Sequence, residues 1–248
     1  MNNTKENIHE LLGYEKIKII QREDMLRFSL DSMLLADFVD TTKTKENDLI
    51  IDLGTGNAPI PLFLTLKTKA KIIGVDIQSD VCSIAKRSVE LNNLENQITI
   101  VNEDIKDIYK KIGANSFSIV VSNPPYFKYK ETSRINKNDY LTIARHEVLI
   151  TLAEIVSEAK RLLIDGGSFY MVHRVERIVD IISILKEEKF GIKKIRFIYS
   201  KENDDNALLV LVHARKNKAS DVKIVKPLYV YDYNGEYTEE VKNIFNFK

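Results

Sequence analysis

Short apolar runs alternate with segments of helical periodicity along most of the chain. Runs of four to eight apolar residues are typical of buried strands, whereas apolar residues at every third or fourth position indicate helices. The strand-like runs are 48–53, 70–77, 97–102, 116–121 and 168–174. The helical segments are 60–67, 79–94, 176–191 and 146–167, the last of which should end at its two glycines. This alternation predicts a parallel sheet with helices on both faces.

Two further strand-like runs, 192–200 and 206–215, follow one another with too few residues between them for a crossover helix. Parallel neighbours need such a crossover, so this pair should be antiparallel. With the five strands before them, the pattern predicts an α/β fold. It should be a doubly wound, mostly parallel sheet of seven strands with one antiparallel strand.

Both ends of the chain depart from this alternation. Residues 1–47 contain a hairpin-like stretch and a helix-like stretch, and we expect them to form an extension packed on the core. Residues 48–216 should form the core. Residues 217–248 form a tail that is rich in Lys and Tyr and ends in a short apolar patch.

Composition narrows the class of protein. Of 248 residues, 44% are hydrophobic and the formal net charge is +1, which excludes a chain that is basic throughout but allows a local basic face. The single cysteine, Cys82, permits no internal disulfide and fits a reducing cytosol. The polar start lacks a signal peptide, and no run reaches the roughly 18 apolar residues of a membrane span. We expect a soluble, cytoplasmic protein, without a membrane partner.

Metal chemistry is not expected. The four histidines are scattered and, with one cysteine, no group has metal-ligand spacing. His173 should be a structural residue at the end of the fifth strand.

A glycine-containing loop follows the first core strand. Its sequence, DLGTGNAP, places Asp52, Gly54, Gly56 and Asn57 at the carboxyl end of the strand, where open parallel sheets bind ligands. Glycines let the backbone approach a ligand closely, and the following helix should offer free N–H groups. A dinucleotide fingerprint would need a third glycine where Pro59 stands. The alternative is a tight strand–helix connection with no ligand.

Acidic residues end the next two strands. Asp76 follows the second strand and could accept hydrogen bonds from both hydroxyls of a ribose. Its alternative is a helix cap, although Ser79 is better placed for that. Asp104 follows the third strand, where a lone acid is usually only solvated. Together with Asp52, the acids after three successive strands indicate a nucleoside-binding site.

The fourth strand leads into SNPPYFK. This stretch resembles the N-P-P-Y motif of amino-methyltransferases, and DLGTGN resembles the D-x-G-x-G loop of S-adenosylmethionine-dependent methyltransferases, with Ala58 in place of the last glycine. The Asn123 side-chain oxygen and the Pro124 carbonyl would each accept one N–H of a reacting amine, more strongly as charge develops on nitrogen. Pro125 and Pro124 would fix the backbone, and Tyr126 would stack on a planar substrate. The alternative is a Pro-Pro turn that ends a strand.

The segment after this motif mixes cations with aromatic rings, a composition suited to single-stranded nucleic acid. The candidate substrate residues, besides Tyr126, are Phe127, Lys128, Lys130, Arg134, Arg145 and His146. For any one of these cations, a solvated loop is the alternative.

Nearly the whole chain resembles the bacterial tRNA1(Val) adenine methyltransferase family. The matching stretches are LLGYEKIKIIQREDMLRFSLDSMLLADF, DLGTGN, SNPPYFK, IARHE and PLYVYDYNGEYTEEVKNIF. The resemblance implies a class I methyltransferase with a Rossmann-like seven-stranded sheet. It would transfer a methyl group from S-adenosylmethionine, leaving S-adenosylhomocysteine, to the 6-amino group of adenosine 37 in the tRNA anticodon loop.

The same resemblance implies further cofactor-binding residues. Asp31, preceded by Phe28 and Ser29, matches the entry motif that borders the cofactor pocket, although Asp31 could instead be a helix N-cap. Asp104 would receive the adenine amino group of the cofactor. Ile77, Ile105 and Asn123 complete the implied set.

Three other functions stay open. A glutamine methyltransferase acting on release factors would use the same motif, although it carries a helical N-terminal domain for which residues 1–47 are too short. Another nucleic-acid amino-methyltransferase with this motif is a second alternative, and a non-catalytic module that binds RNA or cofactor is the third. tRNA is the expected partner, and a monomer is favoured.

Overall fold

A mixed sheet with helices on both faces forms the centre of the molecule. The computed structural model describes residues 5–23, 25, 29–126 and 149–247. Its strands are β1 (Glu6–Leu11), β2 (Tyr14–Arg22), β3 (Leu49–Leu53), β4 (Lys71–Asp76), β5 (Ile98–Asn102), β6 (Phe117–Ser122), β7 (Leu163–Arg174), β8 (Phe190–Lys201), β9 (Leu209–Lys216), β10 (Lys223–Ile224) and β11 (Leu228–Tyr231). Its helices are α1 (Leu30–Phe38), α2 (Pro59–Leu64), α3 (Ser79–Leu91), α4 (Tyr109–Ile112), α5 (Leu152–Leu162), α6 (Ile178–Glu187) and α7 (Glu239–Phe245).

The strand order confirms the doubly wound fold. The sheet runs β5-β4-β3-β6-β7-β9-β8, with parallel pairing from β5 to β7 and antiparallel pairing of β9 with both its neighbours. The chain winds outward from β3 in both directions, so the order reverses beside β3. The carboxyl ends of β3, β4 and β6 meet at this switch point, where ligands bind in open α/β sheets.

Two apolar layers flank the sheet because side chains alternate along each strand. On one face, Ile50 and Ile72 belong to the buried cluster that includes α1, α2 and α3. On the other, Ile51 and Val75 belong to the cluster that includes α5 and α6. Alternation along β3 therefore places helices on both sides, as the sequence pattern predicts.

The helix before β7 is shorter than its sequence pattern suggests. α5 begins with a Thr151–Glu154 capping box and ends at Leu162, and the two glycines lie inside β7 instead of ending the helix. A Cβ on Gly167 would lie 2.9 Å from the Leu163 side chain and 3.2 Å from the Ser118 carbonyl oxygen. The glycines therefore allow close strand contact at an irregular register between β6 and β7.

The N-terminal hairpin β1–β2 lies against α3. The Ile20 amide donates to Ser88 Oγ over 3.0 Å, and the Lys18 amide donates to Asn92 Oδ1 over 2.8 Å. Helical side chains thus satisfy the free edge of β2, which would otherwise expose unpaired backbone groups. The hairpin is held beside the carboxyl ends of β3 and β4.

The tail extends the central sheet, which the sequence pattern did not predict. β10 and β11 both pair in parallel with β8, giving a nine-stranded sheet. α7 then packs against α1 and β11. Among the helices of the described residues, none is both long and apolar enough to cross a membrane.

Candidate active site

A cleft opens at the carboxyl ends of β3, β4, β5 and β6. It encloses about 1280 Å³, with the solvent at its mouth included. Ten of the residues expected from the sequence line it: Gly54, Gly56, Asn57, Asp76, Ile77, Asp104, Ile105, Asn123, Pro124 and Pro125. Residues from four different strand ends are therefore brought to one site.

The loop after β3 is built for close approach to a ligand. Gly54 and Gly56 have φ values of +81° and +57°, in the left-handed region that favours glycine. A Cβ on either would meet no other atom within 4 Å and would occupy the cleft. The Gly54 and Thr55 amides both donate to the Val75 carbonyl over 2.9 Å, which ties the loop to β4.

The helix after this loop offers fewer donors than expected. α2 begins with Pro59 and has Pro61 two residues later, and proline has no N–H group. The Leu62 amide already donates to the Ala58 carbonyl over 3.1 Å. The expected free N–H groups are therefore absent at positions 59, 61 and 62, and the space above the glycines is the main feature of the loop.

Asp76 faces the cleft with its carboxylate oriented by two backbone amides. The Gly56 amide donates to Oδ2 and the Gln78 amide to Oδ1, each over 3.0 Å. Burial raises the pKa of Asp76, and these hydrogen bonds oppose that shift. The helix cap of α3 is Gln78, without a side-chain hydrogen bond, so the expected capping role of Ser79 is wrong.

Asp52 lies behind the loop instead of in the cleft. Its side chain is 0% exposed, and no residue in the described ranges forms a hydrogen bond with either carboxylate oxygen. The Thr55 hydroxyl lowers the pKa of Asp52, although it forms no hydrogen bond with the carboxylate. Burial raises the pKa of Asp52 to about 7, and the neighbouring Asp76 charge adds to this shift.

Two apolar walls enclose the part of the cleft beyond Asp76. On one side lie Ile77, which is 41% exposed, and the exposed Asp104, whose Oδ1 accepts the Lys106 amide over 2.9 Å. Another wall of the cleft is a cluster that includes Ile20, Met25 and Ile84. Sequence reasoning missed this wall because a hairpin pattern does not reveal what the hairpin packs against.

Asn123 stands at the end of β6 and contacts residues of α1. Its Nδ2 donates to Ser32 Oγ over 3.0 Å, and its Oδ1 lies 2.8 Å from the Tyr126 hydroxyl. The same hydroxyl lies 2.7 Å from Asp31 Oδ2. A chain of polar contacts thus runs Ser32–Asn123–Tyr126–Asp31. Ser32 was not among the residues expected from the sequence.

Tyr126 is folded inward. Its ring centroid lies 5.3 Å from that of His173, which is fully buried at the end of β7. Burial and the nearby Asp31 charge raise the pKa of Tyr126 well above its ordinary value. Burial, and then the Arg177 cation, lower the pKa of His173 to about 4. Stacking on a substrate would require Tyr126 to leave these contacts, and this role stays a prediction.

Asp31 reaches the site through Tyr126 and does not line the cleft. It lies in the first turn of α1, whose N-cap is Ser29, so the capping alternative for Asp31 is wrong. Burial raises the pKa of Asp31, whereas the Tyr126 hydrogen bond and the Arg174 cation lower it. Arg174, at the end of β7, is a second nearby residue that sequence reasoning did not identify.

Several expected residues lie outside the described ranges. These are Phe28, Phe127, Lys128, Lys130, Arg134, Arg145 and His146. Among the residues that the structure does describe, no group of three or more His, Cys, Asp or Glu side chains could hold a metal ion.

The fold and the cleft define the class of protein. A glycine loop, Asp76 and Asn123 at the switch point of a doubly wound sheet form the arrangement expected of an α/β methyltransferase. Residues 28–195 match the model of the family described as "Methyltransferase small domain". The chain belongs to this family.

Three curated relatives are methyltransferases of two kinds, named for a tRNA and for a protein substrate. A tRNA1(Val) (adenine(37)-N6)-methyltransferase from Parabacteroides distasonis is 26% identical over 182 residues, 72% of each chain. A protein of the same name from Trichodesmium erythraeum is 24% identical over 245 residues, 94% of this chain and 96% of that one. A release factor glutamine methyltransferase from Francisella tularensis is 27% identical over 207 residues, 79% of this chain and 70% of that one.

Solved structures share the fold. One described as a predicted O-methyltransferase from Agrobacterium tumefaciens superimposes with a TM-score of 0.67 at 21% identity, covering 88% of this chain and 96% of that chain. This likeness confirms the methyltransferase architecture.

Proposed function

We propose that this protein transfers a methyl group from S-adenosylmethionine to the 6-amino group of adenosine 37 in tRNA1(Val). The observation that carries the proposal is the position of Asn123 and Pro124, which border the same cleft as the glycine loop and Asp76. The names of the relatives, one of which aligns over 94% of this chain, supply the substrate.

The residues of the cleft fit the cofactor. The open space above Gly54 and Gly56 accommodates the amino-acid end, because no side chain fills it. The Asp76 carboxylate, oriented by two amides, is an acceptor suited to ribose hydroxyls. Ile77 and the cluster of Ile20, Met25 and Ile84 give the cleft an apolar lining suited to adenine. When bound, the cofactor supplies an electrophilic methyl group on a sulfonium.

The Asn-Pro pair activates a poor nucleophile. The lone pair of an amino group conjugated to a ring is delocalised, so the amine must be held in the geometry that frees it for attack. Asn123 Oδ1 and the Pro124 carbonyl would each accept one N–H and would bind more strongly as positive charge develops on nitrogen. The two prolines present that carbonyl without reorganisation.

Tyr126 would change partners when the base enters. Its hydroxyl lies 2.8 Å from Asn123 Oδ1, the atom that must accept the substrate N–H. Entry of the amine would therefore displace Tyr126, whose ring would then be free to stack on the base. Such stacking contributes about 1–3 kcal/mol and would help to offset the cost of extruding the adenine from the anticodon loop.

The first test is methyl transfer from labelled S-adenosylmethionine to a tRNA1(Val) transcript, with nucleoside analysis of the product. We expect N6-methyladenosine from the natural transcript and no incorporation when guanosine replaces adenosine 37. A methyl group on guanine or a pyrimidine would contradict the proposal.

Asn123→Ala separates chemistry from cofactor binding. We expect kcat to fall about 10²–10³-fold, because an acceptor that acts in the transition state is lost, and calorimetric cofactor affinity to stay unchanged. Asp76→Ala is the matched control, with the opposite pattern of weakened cofactor binding. Equal loss of cofactor affinity in both variants would reject the role of Asn123.

The second candidate is glutamine methylation of a release factor, which the 27% identical relative favours. The same two acceptors would hold an amide nitrogen. A release factor and the tRNA transcript, offered in parallel, distinguish the two. tRNA binding that weakens steeply with salt accompanies only the first activity.

A further inference from the structure

The hydroxyl of Ser32 is the partner of the Asn123 amide nitrogen. The N···O distance is 3.0 Å, and Ser32 is only 7% exposed. Both residues line the cleft. Ser32 lies 91 positions before Asn123 along the chain, so this contact exists only because α1 packs beside the end of β6.

A side-chain amide has two orientations, and only one suits the proposed reaction. The reacting amine brings N–H donors, so Asn123 must present its oxygen to the amine and its nitrogen to the opposite side. On that side the nitrogen meets Ser32 Oγ, which has lone pairs to accept it. The reversed amide would direct its NH2 group at the N–H donors of the amine, and the amine would not be held. The Ser32 hydroxyl can donate as well as accept, so it stabilises the productive orientation that the amine selects.

Tyr126 does not provide this orientation by itself. Its hydroxyl has one proton but lies within hydrogen-bonding distance of two acceptors, Asp31 Oδ2 at 2.7 Å and Asn123 Oδ1 at 2.8 Å. When the proton points to Asp31, only lone pairs of Tyr126 face Asn123. Once the substrate displaces Tyr126 from Oδ1, Ser32 is the remaining described hydrogen-bond partner of the Asn123 side chain.

Ser32 stands on a firmly held helix. α1 packs on α2 and β7, and at its carboxyl end Lys67 Nζ donates to the carbonyls of Ala36 and Val39 over 3.1 and 2.7 Å. A serine on such a helix provides a fixed reference point for a side chain at a strand end.

We propose that Ser32 is a positioning residue for methyl transfer, whose hydroxyl accepts the Asn123 Nδ2–H and thereby keeps Oδ1 directed at the reacting amine. This role rests on the proposed function, because a positioning residue has an effect only if the protein methylates an amine. The orientation of the amide is a property of the protein alone and is open to measurement without turnover.

Kinetics of Ser32→Ala and Ser32→Thr form the first part of the experiment. Removing the acceptor leaves the half-buried Asn123 amide without its partner and free to reorient, so we expect Ser32→Ala to lower kcat about tenfold, with KM for the cofactor unchanged. Ser32→Thr keeps the hydroxyl and should restore most of the rate. The control is Ser118→Ala, which removes a hydroxyl bonded to the Leu49 carbonyl on the same strand as Asn123 but at its other end.

A double-mutant cycle tests whether Ser32 acts through Asn123. In the Asn123→Ala background, Ser32→Ala should cause no further loss of rate, because the group that Ser32 orients is gone. Loss of rate by the same factor in both backgrounds would overturn the proposal, and so would an unchanged rate for Ser32→Ala.

The second part reads the amide directly by nuclear magnetic resonance of the ¹⁵N-labelled protein. The Asn123 side-chain signals are assigned by their disappearance in Asn123→Ala. Ser32→Ala should shift these signals and abolish the slow solvent exchange of the Nδ2–H that Ser32 accepts. Ser32→Thr should leave them unchanged. Unchanged signals in Ser32→Ala would overturn the proposal. If the unmodified protein fails to methylate tRNA, the proposed function fails, while this readout still decides the role of Ser32.

Discussion

Asp52 is a buried acid for which the described interior offers no partner. An ionised carboxylate there would lose its hydration without gaining hydrogen bonds, so the folded protein holds the proton and the pKa of Asp52 rises to about 7. In the unfolded chain an aspartate has a pKa of about 3.9. The folded state therefore binds one more proton between these two values.

The extra proton bound by the folded state determines whether stability rises or falls with pH. Stability falls wherever the folded state binds more protons and the pH rises, so the Asp52 contribution declines from about pH 4 to about pH 7 and then levels off. We expect Asp52→Asn to remove this decline and to be more stable than the unmodified ligand-free protein at pH 8, by at most about 4 kcal/mol.

Calorimetric melting from pH 4 to pH 8 is the measurement. The difference in Tm between Asp52→Asn and the unmodified protein should grow with pH. Acids that do not interact with Asp52, such as Asp31, are present in both proteins, so their effects cancel in the comparison. The interaction of Asp76 with Asp52 is part of the measured difference. A difference that stays constant with pH would show that Asp52 ionises normally.

Residue-level prediction from the sequence succeeds where a motif is local. Gly54, Gly56 and Asn123 can be identified from the motifs formed by their neighbours in the chain, and the structure brings them to one cleft. Ser32 could not be found in this way, because its contact with Asn123 depends on how α1 packs. The inward packing of the half-buried Tyr126 was missed for the same reason, since no sequence pattern places His173 beside its ring.

At the scale of elements, one lysine anchors the helix that carries Asp31 and Ser32. The last carbonyls of a helix lack partners within the helix, and Lys67 Nζ accordingly donates to the carbonyls of Ala36, Asp37 and Val39. Burial lowers the pKa of Lys67, and the Asp37 carboxylate opposes that shift. The cation thus fixes the carboxyl end of α1 from outside the helix.

Replacing this cation should loosen α1. We expect Lys67→Met to lower the free energy of unfolding by about 1–3 kcal/mol, because it leaves three carbonyls without their charged donor. Urea unfolding measures the change. The matched control is Lys69→Met at a neighbouring exposed position, which should be close to neutral, and equal effects of the two substitutions would contradict the capping role.

The core elements could be predicted because their apolar patterns are long. The tail strands could not, because β10 and β11 have only two and four residues and exist through pairing with β8. The end of α5 was also misjudged. The pattern of helix followed by glycines is typical of a C-cap, but here Leu163 already turns into extended conformation and the glycines serve strand contact.

At the scale of the whole molecule, the N-terminal hairpin and the C-terminal helix hold each other. The Gly13 amide donates to the Phe245 carbonyl over 2.9 Å, and Asn246 Nδ2 donates to the Gly13 carbonyl over 2.9 Å. The Tyr14 hydroxyl donates to the Ile244 carbonyl over 3.1 Å. We call these contacts the clasp.

The clasp requires glycine at its centre. A Cβ on Gly13 would lie 2.8 Å from the Phe245 carbonyl oxygen and closer still to the carbonyl of Asn246, which are backbone atoms that cannot rotate away. We expect Gly13→Ala to destabilise the protein by about 1–3 kcal/mol and to increase proteolysis near residue 246. Urea unfolding with limited digestion checks both effects, and an unchanged midpoint would mean that α7 readily moves aside.

The clasp also has a consequence for biosynthesis. Gly13 and Asn246 stand 233 residues apart, so a ribosome completes the first of them long before the second. Until α7 is made, the hairpin has its contacts with α3 but lacks those of the clasp. The clasp therefore closes only after the sheet between its two halves has been synthesised.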